Sequence, residues 1–246
     1  MVTAAHENTQ NSQPVIQPDG AITDVYLAFG AQGATDGARS AGPQIPAAGS
    51  GVSLVARSSF GGSRWSGQSL VARDIGGGPA GIRCCLPATA GDPVTGRMYT
   101  VWNGNGPGAR DPVLLSSSAN GRTWSAPRPV SRDRSATIQH INVAVAAYAG
   151  QVFVTYGTRN TAVHRGDLVQ QQISSSSNGA SFGPPLSVGP LSNLAYAAVA
   201  GGKFPGDYVG ASATASRLTV AWCRSSKPPN PARVYHQTLY AAVLRP

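Results

Sequence analysis

Two adjacent residues near the end of the chain, Asp207 and Tyr208, have side chains that could perform acid–base or nucleophilic chemistry. A carboxyl group can protonate a leaving oxygen, and a tyrosine hydroxyl becomes a useful nucleophile only beside a base. Arg83 could hold a planar anion through two hydrogen bonds. Asp207 and Tyr208 are therefore candidate catalytic residues, and Arg83 and His140 are candidate ligand-binding residues. The alternative for each residue is a purely structural role.

Other familiar reactive centres are missing from the sequence. The histidines are far apart and lack the spacing of metal ligands; they are His6, His140, His164 and His236. No nucleophile elbow, phosphate-binding loop or dinucleotide fingerprint occurs. We therefore expect no metal and no cofactor.

The three cysteines, Cys84, Cys85 and Cys223, do not form an even-numbered disulfide framework. Adjacent residues of a strand point to opposite faces, so Cys84 and Cys85 are not expected to bond to each other. One of them could pair with Cys223 if the fold brings them together. The favoured interpretation is small buried thiols.

The composition favours many short strands over helices. Charged residues make up 12% of the 246 residues, Glu occurs once and Lys twice, whereas Gly and Pro number 30 and 19. Long surface helices need Glu and Lys, and short strands need turn residues. The net charge of +9 comes almost wholly from dispersed arginines, so we expect no specific nucleic-acid binding.

The N-terminal segment is polar. Residues 1–13 have no apolar stretch typical of a signal peptide and are predicted to be a disordered tail. No apolar window is long enough to span a membrane. The cellular location is left open.

Four strand-like segments of one type recur along the chain. Each is rich in β-branched or aromatic residues, follows a turn-like stretch and ends on an aromatic residue, and they cover 25–29, 98–102, 152–156 and 218–222. This pattern is typical of a β-hairpin.

A second element recurs three times, with its aromatic ends about 58 residues apart. The copies are Ser58 to Trp65, Ser117 to Trp124 and Ser175 to Phe182. In each, serine ends a strand, glycine permits a tight turn and an aromatic residue folds back onto the sheet.

This second element resembles the Asp box, or BNR repeat, of sialidase-like β-propellers. Residues 117–124 fit the pattern Ser-x-Asp-x-Gly-x-Thr-Trp at Ser117, Gly121, Thr123 and Trp124. The Asp position departs from the pattern in all three copies, where it holds Phe60, Ala119 and Ser177. Serine and asparagine must then supply the missing turn hydrogen bonds.

The resemblance implies an all-β fold, a β-propeller formed by residues 14–246 as a single domain. Its four units would be 14–74, 75–135, 136–190 and 191–246, each a blade of up to four antiparallel strands. Residues 14–18 could be the first strand of the first blade or the missing outer strand of the last. Because sialidases have six blades and open sheets expose edges, closure or a homo-oligomer is expected.

The resemblance also places Arg83, His140, Asp207 and Tyr208 near the propeller axis. Sialidases use three arginines, a tyrosine activated by a glutamate, and an aspartate acid. The only glutamate here is Glu7, in the predicted tail, so an aspartate would have to replace it. We expect a scaffold that binds a glycan or protein, without standard sialidase catalysis. The alternatives are a divergent glycoside hydrolase acting on anionic sugars and an inactive part of a longer propeller.

Overall fold

The computed structural model describes residues 8–29, 52–73, 75–76, 78–104 and 111–245. Regular structure in this part is mainly β-strand and forms four antiparallel sheets and one short hairpin. The first sheet contains β1 (Asn8–Ile16), β2 (Ala21–Phe29), β3 (Val52–Phe60) and β4 (Ser69–Ala72). The second contains β5 (Ala88–Gly91), β6 (Met98–Asn103), β7 (Val113–Ser118) and β8 (Arg128–Pro129).

The later sheets repeat this up-and-down order. The third contains β9 (Ile138–Tyr148), β10 (Gln151–Asn160), β11 (Leu168–Ser176) and β12 (Leu186–Asn193). The hairpin is β13 (Ala198–Val199) with β14 (Lys203–Phe204). The fourth sheet has three strands, β15 (Gly210–Ala213), β16 (Leu218–Ser225) and β17 (Gln237–Leu244). No helix in these ranges is long and apolar enough to cross a membrane.

The sheets pack face to face. β10 is apolar on both sides because it packs against a neighbouring sheet on each side. Val154 and Tyr156 pack against Tyr99 of the second sheet. Phe153, on the opposite side of β10, packs in the cluster that contains Trp222 of the fourth sheet. Neighbouring strand residues face opposite ways, so a sheet between two others needs apolar residues at every position.

The first strands of successive sheets lie next to one another, β1 by β5, β5 by β9 and β9 by β15. The remaining strands of each sheet extend away from this inner row in sequence order. Antiparallel sheets arranged radially around their first strands are the architecture that the repeats predicted, and this prediction of the fold class is confirmed.

The structure corrects the prediction of a disordered tail for residues 8–13, which belong to β1. β1 pairs with β2, so residues 14–16 lie in the first strand of the first sheet. The polar side chains have partners in the next sheet: Asn11 donates to the Pro87 carbonyl at 2.8 Å, and Gln13 accepts from the Thr89 amide at 2.6 Å. Residues 1–7 lie outside the described ranges.

The box-like turns join β3 to β4, β7 to β8 and β11 to β12. In the second copy, the Ser118 hydroxyl accepts from the Gly121 amide at 2.9 Å, and Asn120 Oδ1 accepts from the Thr123 amide at 2.9 Å. In the third copy, the Ser176 hydroxyl accepts from the Gly179 amide, as Ser118 does from Gly121. Asn178 Oδ1 accepts from the Ala180 amide, which corresponds to the bond from the Arg122 amide to Asn120 Oδ1. The expectation that serine and asparagine replace the missing aspartate is confirmed for these two turns.

Cys84 and Cys85 form a disulfide with each other, so the expectation that they would not is wrong. They lie between β4 and β5 and outside any strand, where the alternation of side chains along a strand does not apply. Cys85 has a φ of 86°. Cys223 is a free thiol.

Candidate functional site

The connections between strands divide the molecule into two faces. We call "turn face" the side formed by the turns within hairpins, such as 92–97 and 149–150, together with the three box-like turns. We call "loop face" the opposite side, formed in the described residues by 161–167 of the third sheet, by 226–236 of the fourth and by the connections from one sheet to the next. Because antiparallel strands alternate in direction, all these longer connections emerge at the same edge of each sheet.

The four predicted site residues all belong to the loop face. Arg83 lies in the connection from the first to the second sheet, and His140 is near the start of β9. Asp207 and Tyr208 lie in the connection that enters β15. The box-like turns lie on the other face and contribute no residue to this group.

Arg83 contacts the connection that leads to Asp207. The Arg83 guanidinium donates to the Ala200 carbonyl at 3.4 Å and lies over the Phe204 ring, 5.3 Å from its centroid. Burial raises the pKa of Asp207, and the positive charge of Arg83 offsets this in part. Tyr208, beside Asp207, is 79% exposed. This part of the site therefore combines a partly buried carboxyl group, a guanidinium and an accessible aromatic ring.

His140 occupies a different environment, fully buried at 0% exposure. Its Nε2 is 3.2 Å from Asp133 Oδ2 and its Nδ1 is 3.2 Å from the Asp111 carbonyl. The ring meets Tyr156 edge to face at 5.2 Å. Burial lowers the pKa of His140 despite the opposing contributions of Asp133 and the Asp111 carbonyl. His140 has no exposed surface in this structure, and it contacts Asp133, whose side chain is 38% exposed.

A third polar group contains residues that the sequence analysis did not identify. Arg159 is buried, donating to Gln139 Oε1 at 2.8 Å and to the Gly166 carbonyl at 3.1 Å. Burial lowers the pKa of Arg159, and the charges of Asp167 and Asp111 oppose that change. Lys203 forms an ion pair with Asp167.

One feature of the sequence could have indicated these residues: they are charged and lie at strand ends or in the connections between strands. Asp133, Asp167 and Lys203 lie in connections on the loop face, and Arg159 is the penultimate residue of β10. Once second strands are identified, charged residues at their ends and in the following connections can be assigned to one face. Their pairing could not be read in this way, because the partners come from different connections.

No group of His, Cys, Asp or Glu that could hold a metal ion is found in the described ranges. Between the third and fourth sheets there is a cavity of about 20 Å³ that Asn142 and Gln171 help to line. This volume suits a single water molecule. A larger cavity of about 490 Å³ lies at the end of the fourth sheet away from the loop face, where Arg217 and Val243 help to line it.

No protein-family model matches the chain, and no curated protein resembles it in sequence. Solved structures do resemble its fold. An α-L-arabinanase from Penicillium chrysogenum, complexed with arabinobiose, is 13% identical over 85% of this chain and 57% of its own, with a TM-score of 0.55. A protein of unknown function from Dyadobacter fermentans is 17% identical over 97% and 61%, with a TM-score of 0.57.

An α-L-arabinofuranosidase from Fusarium graminearum is 12% identical over 98% of this chain and 64% of its own, with a TM-score of 0.53. The chain is a β-propeller. It spans about three fifths of the length of these structures. At such identities the likeness shows the fold alone, and it does not single out sialidases among propellers.

Proposed function

We propose that this propeller binds a carbohydrate on its loop face, around Arg83, Asp207 and Tyr208, without standard sialidase catalysis. The observation that supports it is the meeting of a guanidinium, a carboxyl group and an exposed aromatic ring on one face. Sugars present hydroxyl groups around an apolar ring face, so they suit polar groups placed beside an aromatic surface. The arabinobiose-bound structure of similar fold is consistent with this choice of ligand.

The contacts of Arg159 argue against sialidase chemistry. Arg159 is buried, and it donates from Nε to Gln139 Oε1 and from Nη1 to the Gly166 carbonyl. It therefore has no open fork to offer to a substrate carboxylate. The only glutamate, Glu7, lies outside the described ranges, so no glutamate base can be assigned.

Calorimetric titration tests this proposal, with arabinan oligosaccharides and sialyllactose as the two probes. Saturable binding of at least one probe is expected. Tyr208→Ala should weaken it about fivefold, because one aromatic contact contributes roughly 1 kcal/mol. Phe60→Ala is the matched control, since Phe60 is 74% exposed in a turn on the opposite face. The proposal fails if neither sugar binds or if both substitutions weaken binding equally.

The second candidate is a divergent glycoside hydrolase that uses Asp207 as its acid. It is favoured by the burial that raises the pKa of Asp207, because a general acid must stay protonated near its working pH. Fluorogenic sialosides and arabinofuranosides should then be cleaved, and Asp207→Ala should abolish cleavage. Asp19→Ala, in an exposed turn of the first sheet, is the control. Absence of release from acidic to neutral pH would exclude this candidate.

A further inference from the structure

The Cys84–Cys85 disulfide lies beneath the loop face, close to the inner row of strands. Both cysteines are 1% exposed and pack with Ile82, Ile141 and Leu194. The surroundings are fitted to the bonded pair: a Cβ on Gly78 would lie 2.6 Å from Cys85 Sγ and 2.8 Å from Cys84 Sγ. The third sheet and the connection from the third to the fourth sheet therefore pack against this disulfide.

A bond between adjacent cysteines closes a small ring that includes the peptide unit between them. Cys85 has a φ of 86°, a conformation that residues with a side chain rarely adopt. The ring restrains the backbone there, and two free thiols would allow Cys85 to return to negative φ. Such a change would redirect the chain immediately after Arg83.

The segment that contains Arg83 is attached to a distant connection. The Arg83 amide donates to the Lys203 carbonyl at 2.9 Å, and the Lys203 amide donates to the Gly81 carbonyl at 2.9 Å. The Arg83 side chain then reaches the Ala200 carbonyl and the Phe204 ring. The same connection leads to Asp207, so the position of 81–85 determines how Arg83 meets Asp207.

We propose that the Cys84–Cys85 disulfide is a positioning element that holds Arg83 against the 200–204 segment, which leads to Asp207, and joins two connections of the loop face. Breaking the bond loosens this site while the four sheets stay folded. The functional meaning of this inference rests on the proposed carbohydrate site. Its test does not, because the coupling of Arg83 to Asp207 can be measured without any ligand.

The quantity to measure is the pKa of Asp207, obtained from a pH titration monitored by carbon-13 NMR of labelled aspartate carboxyl groups. Arg83→Gln removes the charge that lowers this pKa and should shift the titration of Asp207 upward. Cys84→Ser/Cys85→Ser should shift it in the same direction and by no more than Arg83→Gln. A disulfide that only stabilised the whole fold would lower the melting temperature and leave the Asp207 titration of the folded protein unchanged.

A rescue variant separates the role of the backbone from that of the sulfur atoms. Cys84→Ser/Cys85→Gly also lacks the disulfide, but glycine tolerates positive φ. It should therefore retain more of the downward shift of the Asp207 pKa than the double serine variant. Equal upward shifts in both variants would refute positioning through the Cys85 backbone.

If the double serine variant does not fold, chemical reduction of the disulfide in the natural chain replaces it as the test. A water-soluble phosphine gives two electrons to the S–S bond, two protons from water complete the thiols, and the phosphine takes up oxygen to become its oxide. The Asp207 titration should move upward while the remaining resonances stay dispersed. The proposal is overturned if the Asp207 titration does not move, or if reduction unfolds the protein. The glycine rescue variant, which has no disulfide, should not respond to the phosphine.

Discussion

Replacement of Asp92 should reveal how strongly the second and third sheets are joined at the turn face. Asp92 is a buried carboxylate in the turn between β5 and β6. Its Oδ1 accepts from the Val94 amide at 2.9 Å and from the Ala149 amide at 3.0 Å, and its Oδ2 accepts from the Gly150 amide at 2.6 Å. Ala149 and Gly150 form the turn between β9 and β10, so two of these bonds cross between sheets.

The expected cost follows from counting the bonds that each substitution removes. A hydrogen bond to a charged group contributes about 1.5–3 kcal/mol, so losing both bonds between the sheets in Asp92→Ala should cost roughly 3–6 kcal/mol. Asp92→Asn keeps Oδ1 but turns an NH₂ group toward the Gly150 amide, and this should cost about 2 kcal/mol. Asp19, in the equivalent turn of the first sheet, is exposed, and among the described residues it accepts only from the Ala21 amide, at 3.0 Å. Asp19→Asn should cost below about 1 kcal/mol.

Urea denaturation of the three variants measures these free energies, and its pH dependence adds a separate check. Burial alone would raise the pKa of Asp92, but the Gly150, Val94 and Thr95 groups that donate to it outweigh burial and lower the pKa. The native pKa therefore lies below that of the unfolded chain, about 3.9. The contribution of Asp92 is complete above that pH and is lost as the pH falls through the native pKa. The free-energy difference between the natural chain and Asp92→Asn should therefore narrow in acid.

Two results would refute this account of Asp92. One is an Asp92→Asn variant within about 0.5 kcal/mol of the natural chain, which is the usual range for a surface substitution without structural consequence. The other is an Asp19→Asn variant that loses as much stability as Asp92→Asn. Either result would mean that the bonds to Ala149 and Gly150 do not join the sheets.

Three further predictions concern packing, protonation and association. Gly121→Ala should cost about 2 kcal/mol more than Gly62→Ala in urea denaturation, because both glycines have positive φ but only at Gly121 would a Cβ meet side chains of the first sheet. Burial lowers the pKa of His140, so its native form stays neutral while the unfolded form gains a proton. Stability should thus fall as the pH drops below about 6.5, and less steeply in His140→Gln. Leu239 is 80% exposed on an uncharged face of the outermost strand of the fourth sheet, and a second copy should cover it. Light scattering should show a dimer that Leu239→Lys dissociates and that Val94→Lys, 59% exposed on the turn face, leaves intact.

The sequence was sufficient to predict the repeated hairpins, because their cause is local. All four predicted aromatic-ended segments lie in second strands, as 152–156 does in β10 and 218–222 does in β16. A second strand lies inside its sheet and is largely buried, so it needs a run of apolar and β-branched residues, and this requirement is visible in a few consecutive residues. The box-like turns are local for the same reason, since Asn120 bonds to amides within its own turn.

The site could be predicted only as far as the face on which its residues lie. Whether Tyr208 is exposed and His140 buried depends on what other connections place beside them. The ion pair of Lys203 with Asp167 joins two different connections, and nothing in either segment specifies the other. The Cys84–Cys85 disulfide could not be predicted from the alternation of side chains along a strand, because the chain makes an irregular connection at these residues.

The two faces should respond differently to substitution, and the difference follows from what their polar groups contact. On the turn face, Asp92 and the Ser118 hydroxyl accept amides of short turns, so these side chains are part of the joints within and between sheets. On the loop face, Tyr208 and Asp133 retain accessible surface that the sheets do not use. Evolution of a ligand site needs side chains that can change without loosening the scaffold, and the longer connections supply them. Substitutions at exposed positions of the loop face should therefore change ligand affinity with little change in melting temperature. Substitutions of the buried turn-face side chains, such as Asp92 and Ser118, should lower the melting temperature with little change in ligand affinity.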